Sequence, residues 1–280
     1  MTPDLDSMLE FADQLPSLPT AVVKALQLLR NENSANDQIA AAISMDQALV
    51  GQVLKLSNSP YYGVSRRVAT VQQALLVLGR KAVRSLVVAA ASQDFLSKPQ
   101  AGYMLRRGEL WSHSIAAGYG ASLIAAKIGF RQTEEAFVAG LLHDIGKVVL
   151  SGYLAEDVER LTDRINRPDA PSFDQVEKEF LNIDHAALGG MIIEHWQLPS
   201  HLSQAIAYHH RPRDAGEHWQ LATIVHLANA LALIIGIGIG VDGLQYEIDE
   251  EAVSRLGLDA EALEELTSTL IDQVQEPELA

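Results

Sequence analysis

The sequence predicts an all-α protein with two helical lobes, and three features of its composition and patterning point there. Ala and Leu are abundant, aromatic residues make up only 6% of the chain, and apolar residues recur at helical spacing. Alternating runs of β-branched and aromatic residues, typical of strands, are scarce. With 280 residues, 48% of them hydrophobic, the chain can bury a sizeable core in one large domain or two lobes.

The predicted N-terminal lobe, residues 1–100, consists of short helices. The segment AVVKALQLLR has apolar residues at helical spacing, and Ser34, Asp46 and Thr70 each precede an apolar segment in a position suited to an N-cap. A further helix is expected over residues 80–95. The stretch KPQAG at residues 98–102 then interrupts the helical pattern, and we place the boundary between the lobes there.

The predicted second lobe, residues 101–280, contains longer and more apolar helices. A helix across RRGELWSHSIAAGYGASLIAAKIG is expected to end at Gly129, and one continuous helix is expected over residues 133–149. A third covers about residues 153–166. Further helices are predicted at FDQVEKEFL, HAALGGMIIEHW, PSHLSQAIAYHH and WQLATIVHLANALALI, followed by an acidic, amphipathic tail from Asp249.

Charge and hydropathy restrict the partners and the location. The formal net charge is −15; residues 1–100 carry 9 basic and 8 acidic residues, and residues 101–280 carry 12 and 28. Such an acidic second lobe repels nucleic acid and anionic membranes, so we expect neither as a partner. Residues 221–241 are nearly long enough to span a membrane, but they contain His226 and Asn229 and are predicted to form a buried core helix. The N-terminus lacks the pattern of a signal peptide, which favours a cytoplasmic protein.

Histidines inside apolar segments are the main chemical feature of the sequence. They occur in WSHS (His113), LLHDIGK (His143, followed by Asp144), NIDHAALG (His185), AYHHRP (His209 and His210) and IVHLANAL (His226). Any one of them alone is more often a satisfied core residue. Together, on separate predicted helices, they indicate a metal site, because helical bundles build such sites from inward-facing side chains.

The absence of cysteine limits any such site to imidazole and carboxylate ligands, which suit iron, manganese or zinc. Glu109 and His113 are four residues apart and so share one helix face. Lys147 follows His143 by four residues, where it could contact an anionic ligand of the metal. An ionised Asp144 inside GLLHDIGKVV needs positive compensation, and a metal would supply it.

The order of these motifs resembles the HD superfamily of metal-dependent phosphohydrolases. More closely, the chain resembles the HDOD family, the HD-related output domains of bacterial signalling proteins. The segments LPSLPTAVVKALQLL, IAAAISMDQALVGQVLKLSNSPYYG, VQQALLVLGRKAVRSLVV and DHAALGGMIIEHWQLPSHLSQAIAYHH carry this similarity. It extends over about residues 8–235 and implies a helical fold with an HD-like second lobe.

The resemblance also implies a set of site residues. By comparison with related HD-GYP enzymes, which hydrolyse cyclic di-GMP at a bi- or trinuclear iron site, the metal-ligand positions are Glu109, His113, His143, Asp144, His185, His209 and His210. Lys147 matches the lysine that follows the HD pair. Two features depart from the enzyme pattern: Asn229 stands where those enzymes have a ligating Asp, and RPRDAGEHW stands where they have a GYP-containing loop.

Two functions follow as hypotheses. The favoured one is a bacterial signal-transduction module that binds one or two metal ions and acts through protein or ligand contacts, with weak or no catalysis. Asn229 favours it, because a neutral amide is a poorer ligand than a carboxylate for a hard cation. The alternative is a metal-dependent phosphohydrolase, a phosphodiesterase or nucleotidase, in which Asp144 and Lys147 would be the catalytic residues.

The sequence also contains a basic cluster and a glycine-rich segment, which are weaker signals. Arg66, Arg67, Arg80, Lys81 and Arg84 form the one basic cluster; it is either a solvated face or a docking patch for a signalling protein or a small anionic phosphate ligand. We expect it to be exposed and to serve a partner. The glycine-rich segment GIGIGVDG at residues 236–243 is interpreted as a helix end and tight turn, since no strand precedes it.

Overall fold

The structure is a computed structural model that describes residues 18–167, 169–241 and 248–274. Throughout this part of the chain the regular structure is helical, and extended pairing is confined to one isolated bridge between Gln100 and Leu105. The prediction of an all-α protein is confirmed. Residues 18–94 form one compact unit, and the described residues of 95–272 form another. The division falls a few residues before the predicted stretch at 98–102.

The first unit consists of five helices whose starts follow from local capping. Their bounds are α1 Thr20–Arg30, α2 Asn36–Ile43, α3 Gln47–Ser57, α4 Val71–Val77 and α5 Gly79–Leu96, the last of which ends just inside the second unit. Asp46 and Thr70 cap α3 and α4 as predicted, through side-chain oxygens that accept backbone N–H groups. Ser34 does not cap α2. The helix begins after Ala35, whose N–H donates to the Gln38 side chain at 3.0 Å.

The predicted basic cluster is divided by the fold. Arg66, Arg67 and Lys81 are exposed, but Arg80 and Arg84 are only partly so. The Arg80 guanidinium donates to the Asn36 side chain at 2.8 Å and to the carbonyls of Glu32 and Ser34, and so ties α5 to the start of α2. The expectation that all five cations are exposed and serve a partner is wrong for Arg80, because its planar guanidinium donates to acceptors within its own unit.

This difference predicts two separate mutational results. Arg80→Gln should destabilise the protein by about 1–2 kcal/mol, because its hydrogen bonds to two loop carbonyls and to Asn36 at the start of α2 are lost. The double change Arg66→Gln and Arg67→Gln should leave the melting temperature nearly unchanged, since exposed charges contribute little. Thermal unfolding followed by circular dichroism checks both, and an equal loss in the two variants would contradict the assignment of Arg80 to the fold.

The second unit holds the longer helices and most of the buried apolar residues. Its helices are α6 Glu109–Lys127, α7 Thr133–Leu142, α8 Ile145–Leu154, α9 Val158–Ile165, α10 Phe173–Leu181, α11 His185–His195, α12 Ser200–Ala207, α13 Trp219–Ile234, α14 Glu250–Ser254 and α15 Ala260–Val274. Short 3-10 helices occur at Ala101–Tyr103, Ala155–Asp157 and Pro212–His218. Helix α6 packs along α7 and α13, and α11 packs against α8 and α12.

The predicted continuous helix over residues 133–149 is broken at the HD pair, which corrects that expectation. Helix α7 ends at Leu142, and α8 begins at Ile145 after Asp144 leaves helical geometry at φ −98° and ψ 11°. Close backbone approaches hold the break in place. A Cβ at Gly140 would come within 2.5 Å of the Ala117 carbonyl, and one at Gly146 within 2.0 Å of the His185 carbonyl. The HD pair is therefore fixed between α6 and α11.

The apolar stretch around residue 221 forms a core helix, as predicted. Helix α13 is buried along most of its length, including Thr223, His226 and Asn229. By length and composition, Thr133–Ile165 passes as one membrane span, but 83% of its most apolar window is buried inside the protein. The pair α2 and α3 passes only if counted together, and it is bent by 116°.

Candidate metal centre

Six of the predicted ligands come from different parts of the second unit and converge in its interior. His113 lies on α6, His143 ends α7, and Asp144 occupies the break before α8. His185 begins α11, and the HH pair follows the end of α12. All except His210 are buried, with side chains at most 2% exposed.

One group of ligand atoms joins His113, His143 and Asp144. The Nε2 atoms of the two imidazoles lie 3.3 Å apart. The Asp144 Oδ2 atom is 3.3 Å from the His143 Nε2 atom and 3.6 Å from that of His113. These three residues could hold one metal ion.

A second group joins His185, His209 and His210. The Nε2 atoms of His185 and His210 lie 2.9 Å apart, and the Asp144 Oδ1 atom is 3.3 Å from the Nε2 atom of His185. His209 also belongs to this group, although its ring centroid lies 4.9 Å from that of His143. Asp144 presents one carboxylate oxygen to each group, so it could bridge two ions.

The tautomers of these imidazoles follow from their other hydrogen bonds. In three of them the Nδ1 atom faces a backbone carbonyl, which can only accept, so Nδ1 carries the proton. These bonds join His113 to Ile237 at 3.0 Å, His143 to Gly140 at 2.7 Å and His209 to Ile206 at 2.8 Å. In the neutral imidazole, Nε2 then carries an unshared lone pair that points into the cluster.

Facing lone pairs make the cluster a cation site. The unprotonated Nε2 atoms of His113 and His143 would repel one another at 3.3 Å unless a cation or proton lay between them. Metal–nitrogen bonds of about 2.0–2.1 Å place neighbouring ligand atoms roughly 2.9–3.4 Å apart. Two buried atoms, His209 Nε2 and Asp144 Oδ1, also have no hydrogen-bond partner in the described structure. The residues present therefore fit a bound metal.

Glu177 and Tyr103 support the second group from behind His185, and neither was predicted from the sequence. The Glu177 carboxylate is fully buried and accepts from the His185 backbone N–H at 2.9 Å and from its Nδ1–H at 2.6 Å. Its other oxygen accepts from the Tyr103 hydroxyl. A carboxylate behind a metal-binding imidazole fixes the ring and increases its basicity. The available signal was an acidic residue on the predicted helix FDQVEKEFL, just before His185.

Lys147 contacts Asp144 directly. Its ammonium group is 2.8 Å from Asp144 Oδ2, is buried, and lies 5.5 Å from the centre of the Tyr103 ring. Burial alone would raise the pKa of Asp144, but the Lys147 ammonium and the surrounding imidazoles hold it well below its usual range. Asp144 is thus an anion inside the core, with Lys147 as its fixed partner.

Burial determines the protonation of the other imidazoles. It lowers the pKa of His113 to about 4 and holds the pKa values of His209 and His210 well below the usual range. Burial also opposes the charged form of His185, but Glu177 outweighs it and raises the His185 pKa. At neutral pH the site therefore offers several neutral imidazoles, the form that binds metal.

His226 supports the HH segment from α13. Its Nδ1–H donates to the His209 carbonyl at 2.7 Å, and its Nε2 accepts from the Asp249 backbone N–H at 2.9 Å. Both of its nitrogens are occupied by these bonds. His226 is therefore a support for His209.

Two predicted ligands lie outside the two groups. The Glu109 carboxylate accepts from the Arg106 backbone N–H at 2.6 Å, so it is bonded to the segment that precedes α6. The structure thus does not bring Glu109 to a metal with His113, although the two share a helix. Asn229 is buried on α13, one turn beyond His226, and its role as a weak ligand stays a prediction.

A cleft of about 770 Å³ adjoins the cluster at His210. Its lining is predominantly acidic, with Asp214, Asp249, Glu250 and Glu251 against Arg211 and Arg213. Arg213 pairs with Asp249 and Glu251. Arg211 lies 3.5 Å from the buried Asp184. The approach to His210 is therefore net negative, and both of its arginines face carboxylates.

These features define a helical protein with a buried His/Asp cluster suited to one or two metal ions, and comparison with known proteins gives its family. The HDOD domain model matches residues 15–212, most of the chain. The chain belongs to the HDOD family, as its sequence motifs predicted.

A curated relative matches over most of this chain. An uncharacterised protein of Treponema pallidum (strain Nichols) is 26% identical over 225 residues, which are 80% of this chain but 43% of that protein. The chain thus spans less than half the length of that curated relative.

Solved structures show the same fold. An HDOD domain protein of unknown function from Geobacter sulfurreducens superposes with a TM-score of 0.71 at 23% identity, covering 96% of this chain and 99% of that one. A candidate phosphohydrolase from Shewanella amazonensis SB2B gives a TM-score of 0.68 at 25% identity, covering 94% and 98%. A candidate signal transduction protein from Marinobacter aquaeolei VT8 gives 0.71 at 23%, covering 97% of this chain and 59% of that one.

Proposed function

We propose that this protein is a metal-binding regulatory module of a bacterial signalling pathway, with weak or no catalytic activity. The observation that carries the metal-binding part is the set of unprotonated Nε2 atoms that face one another in the core. Iron, manganese or zinc suits these ligands. The metal would stabilise the arrangement of α6, α8 and α11, and so set the shape that a partner recognises.

The charge around the cluster supports the lack of strong catalysis. Phosphodiester substrates are anions, and the cleft at His210 is lined by more carboxylates than cations. Lys147 is bonded to Asp144 rather than open to a phosphate. Asn229 and the absence of a GYP-containing loop, both known from the sequence, point the same way.

We further propose that the first unit carries the contact for a signalling protein partner. Residues 18–94 contain eight Lys and Arg against four Asp and Glu, although the whole chain has a net charge of −15. A cleft of about 930 Å³ in this unit is lined by Lys55 and Arg67 and by no acidic residue. Asn58 fixes its rim by bonding both the N–H and the carbonyl of Val68. Arg66, Arg67 and Lys81, with Lys55, would contact an acidic surface in the cytoplasm.

The alternative function is a metal-dependent phosphohydrolase, and the bridging geometry of Asp144 favours it. Its two oxygens face separate ligand groups, as in sites that hold two ions. Bound metal would supply Lewis-acid stabilisation of a phosphate and an activated water. In that case Asp144 would position the ions, and Lys147 would need to leave Asp144 to contact a phosphate oxygen.

The test combines elemental analysis with an activity panel. Protein purified without chelator should contain close to one or two equivalents of iron, manganese or zinc. The same sample should show negligible turnover of cyclic di-GMP, nucleotides and a generic phosphodiester. Robust turnover that His210→Ala abolishes would make the hydrolase the correct function. A sample without metal, even after incubation with each ion, would contradict both functions.

A further inference from the structure

We infer that the two ligand groups differ in affinity, so that the His185 group fills first and the His113 group is a weaker, exchangeable position. This inference rests on the proposed metal-binding function and adds to it an order of loading and the residues that set the order. The order follows from the hydrogen-bond partners of the ligand residues in each group.

The His185 group has the stronger donors. The Nδ1–H of His185 donates to Glu177, a fully buried carboxylate, which makes the Nε2 atom more electron-rich than a carbonyl partner would. His209 Nε2 and Asp144 Oδ1 have no hydrogen-bond partner to give up when a metal binds. The Tyr103 hydroxyl holds the second Glu177 oxygen and so fixes the direction of the carboxylate.

The His113 group has weaker donors and a competing cation. Its two imidazoles are backed by the carbonyls of Ile237 and Gly140, which carry no net charge. Its carboxylate oxygen, Asp144 Oδ2, is already bonded to the Lys147 ammonium at 2.8 Å. A metal here would share that oxygen with Lys147 and experience the repulsion of a buried positive charge.

Asp144 is the ligand that the two groups share, and one of its oxygens faces each group. Glu177 acts on the His185 group and Lys147 acts on the His113 group. Substitutions of these two residues should therefore change different binding steps. Neither residue need touch a metal, so Glu177 and Lys147 are positioning residues for the proposed site.

The experiment is a titration of metal-free protein with Co²⁺, followed by calorimetry and by the visible absorption of the bound ion. Wild type should bind in two steps, the first at least tenfold tighter. Glu177→Gln should weaken the first step by about 10–100-fold, the range known for partners of metal-binding imidazoles, and leave the second within a few-fold. Lys147→Met should tighten the second step about tenfold and leave the first nearly unchanged.

Controls separate this effect from a loss of folding. Glu179→Gln, on the exposed side of α10, should leave both steps unchanged. Tyr103→Phe removes one donor to Glu177 without unpairing the His185 bond, and should weaken the first step less than Glu177→Gln does. If Glu177→Gln does not fold, Tyr103→Phe and Lys147→Met still test the order.

The outcomes distinguish the inference from the proposed function. Two steps of equal affinity, a Glu177→Gln effect on the weaker step, or a Lys147→Met effect on the tighter step would overturn the inference while metal binding stands. If wild type binds one ion, His185→Ala should abolish it and His113→Ala should not, and the reverse result would overturn the order. A wild type that binds no Co²⁺ would overturn both.

Discussion

Asp144→Asn is expected to remove nearly all bound metal and to destabilise the protein by about 3–5 kcal/mol. The amide has no negative charge to offer either ligand group, and the substitution leaves the Lys147 ammonium buried without its ionic partner. The metal content of the purified variant and its unfolding in urea measure the two effects. Asp144 faces both ligand groups, so this one substitution acts on both.

Two further variants separate the cost of an unpaired buried charge from the loss of the metal site. In Asp144→Asn combined with Lys147→Met, most of the lost stability should return, because no unpaired charge stays buried, but the metal should not. Asp174→Asn removes a buried carboxylate on α10 that lies outside the two groups and should retain full metal content. Full metal retention in Asp144→Asn would show that the cluster is held by hydrogen bonds alone.

Acid should destabilise the metal-free protein well above the pH at which carboxylates titrate. The pKa of His113 is about 4 in the folded protein and 6.5 ordinarily. Between these pH values His113 is protonated in the unfolded chain but neutral in the folded protein. Stability therefore falls as the pH falls through this window. For His113 alone the loss between pH 8 and pH 5 is about 2 kcal/mol.

Other titratable groups also contribute to the pH dependence of stability, and the direction of each pKa shift gives the sign of its contribution. The pKa values of His209, His210 and His226 are also lowered by burial, so they add to the loss on acidification. The raised pKa of His185 acts in the opposite direction, with stability present at low pH and lost as the pH rises through its folded value. The depressed folded pKa of Asp144 gives stability that is fully present above its ordinary pKa of 3.8 and is lost only as the pH falls below that value.

The measurement is urea unfolding of chelator-treated wild type and His113→Leu at pH 7.5, 6 and 5. The difference in the free energy of unfolding between the two proteins should narrow by about 2 kcal/mol toward pH 5, since the variant has no imidazole to protonate at this position. His195→Leu, an exposed site on α11, should follow the wild-type slope. A constant difference between wild type and His113→Leu would contradict burial of a neutral His113.

Most of the fold follows from local rules in the sequence. The caps at Asp46 and Thr70, the end of α6 just before Gly129 and the buried helix α13 were all predictable from spacing and capping chemistry. The break at the HD pair was not. Residues 133–149 read as one apolar helix, and only the approach of the Ala117 and His185 carbonyls to Gly140 and Gly146 shows why the chain turns there.

Most residues of the site could be predicted from the sequence, but their grouping around two positions could not. Spacing and family resemblance indicated the imidazoles and Asp144, because buried histidines on several helices have few other uses. The sequence could not show that His209 groups with His185, since this depends on the packing of distant helices. Nor could it show that the Glu109 carboxylate bonds the Arg106 backbone N–H instead of joining His113. Glu177 was missed because a Glu on an amphipathic helix is usually exposed, and here it is fully buried.

The most direct test of the metal centre is anomalous X-ray diffraction from crystals of protein purified without chelator, collected across the metal absorption edge. We expect one strong peak among the Nε2 atoms of His185, His209 and His210 and a second, weaker peak between His113, His143 and Asp144 Oδ2. Crystals soaked in Mn²⁺ or Zn²⁺ should show both peaks. The absence of anomalous density at both positions after such a soak, with water or a shared proton between the imidazoles, would contradict a metal-binding function.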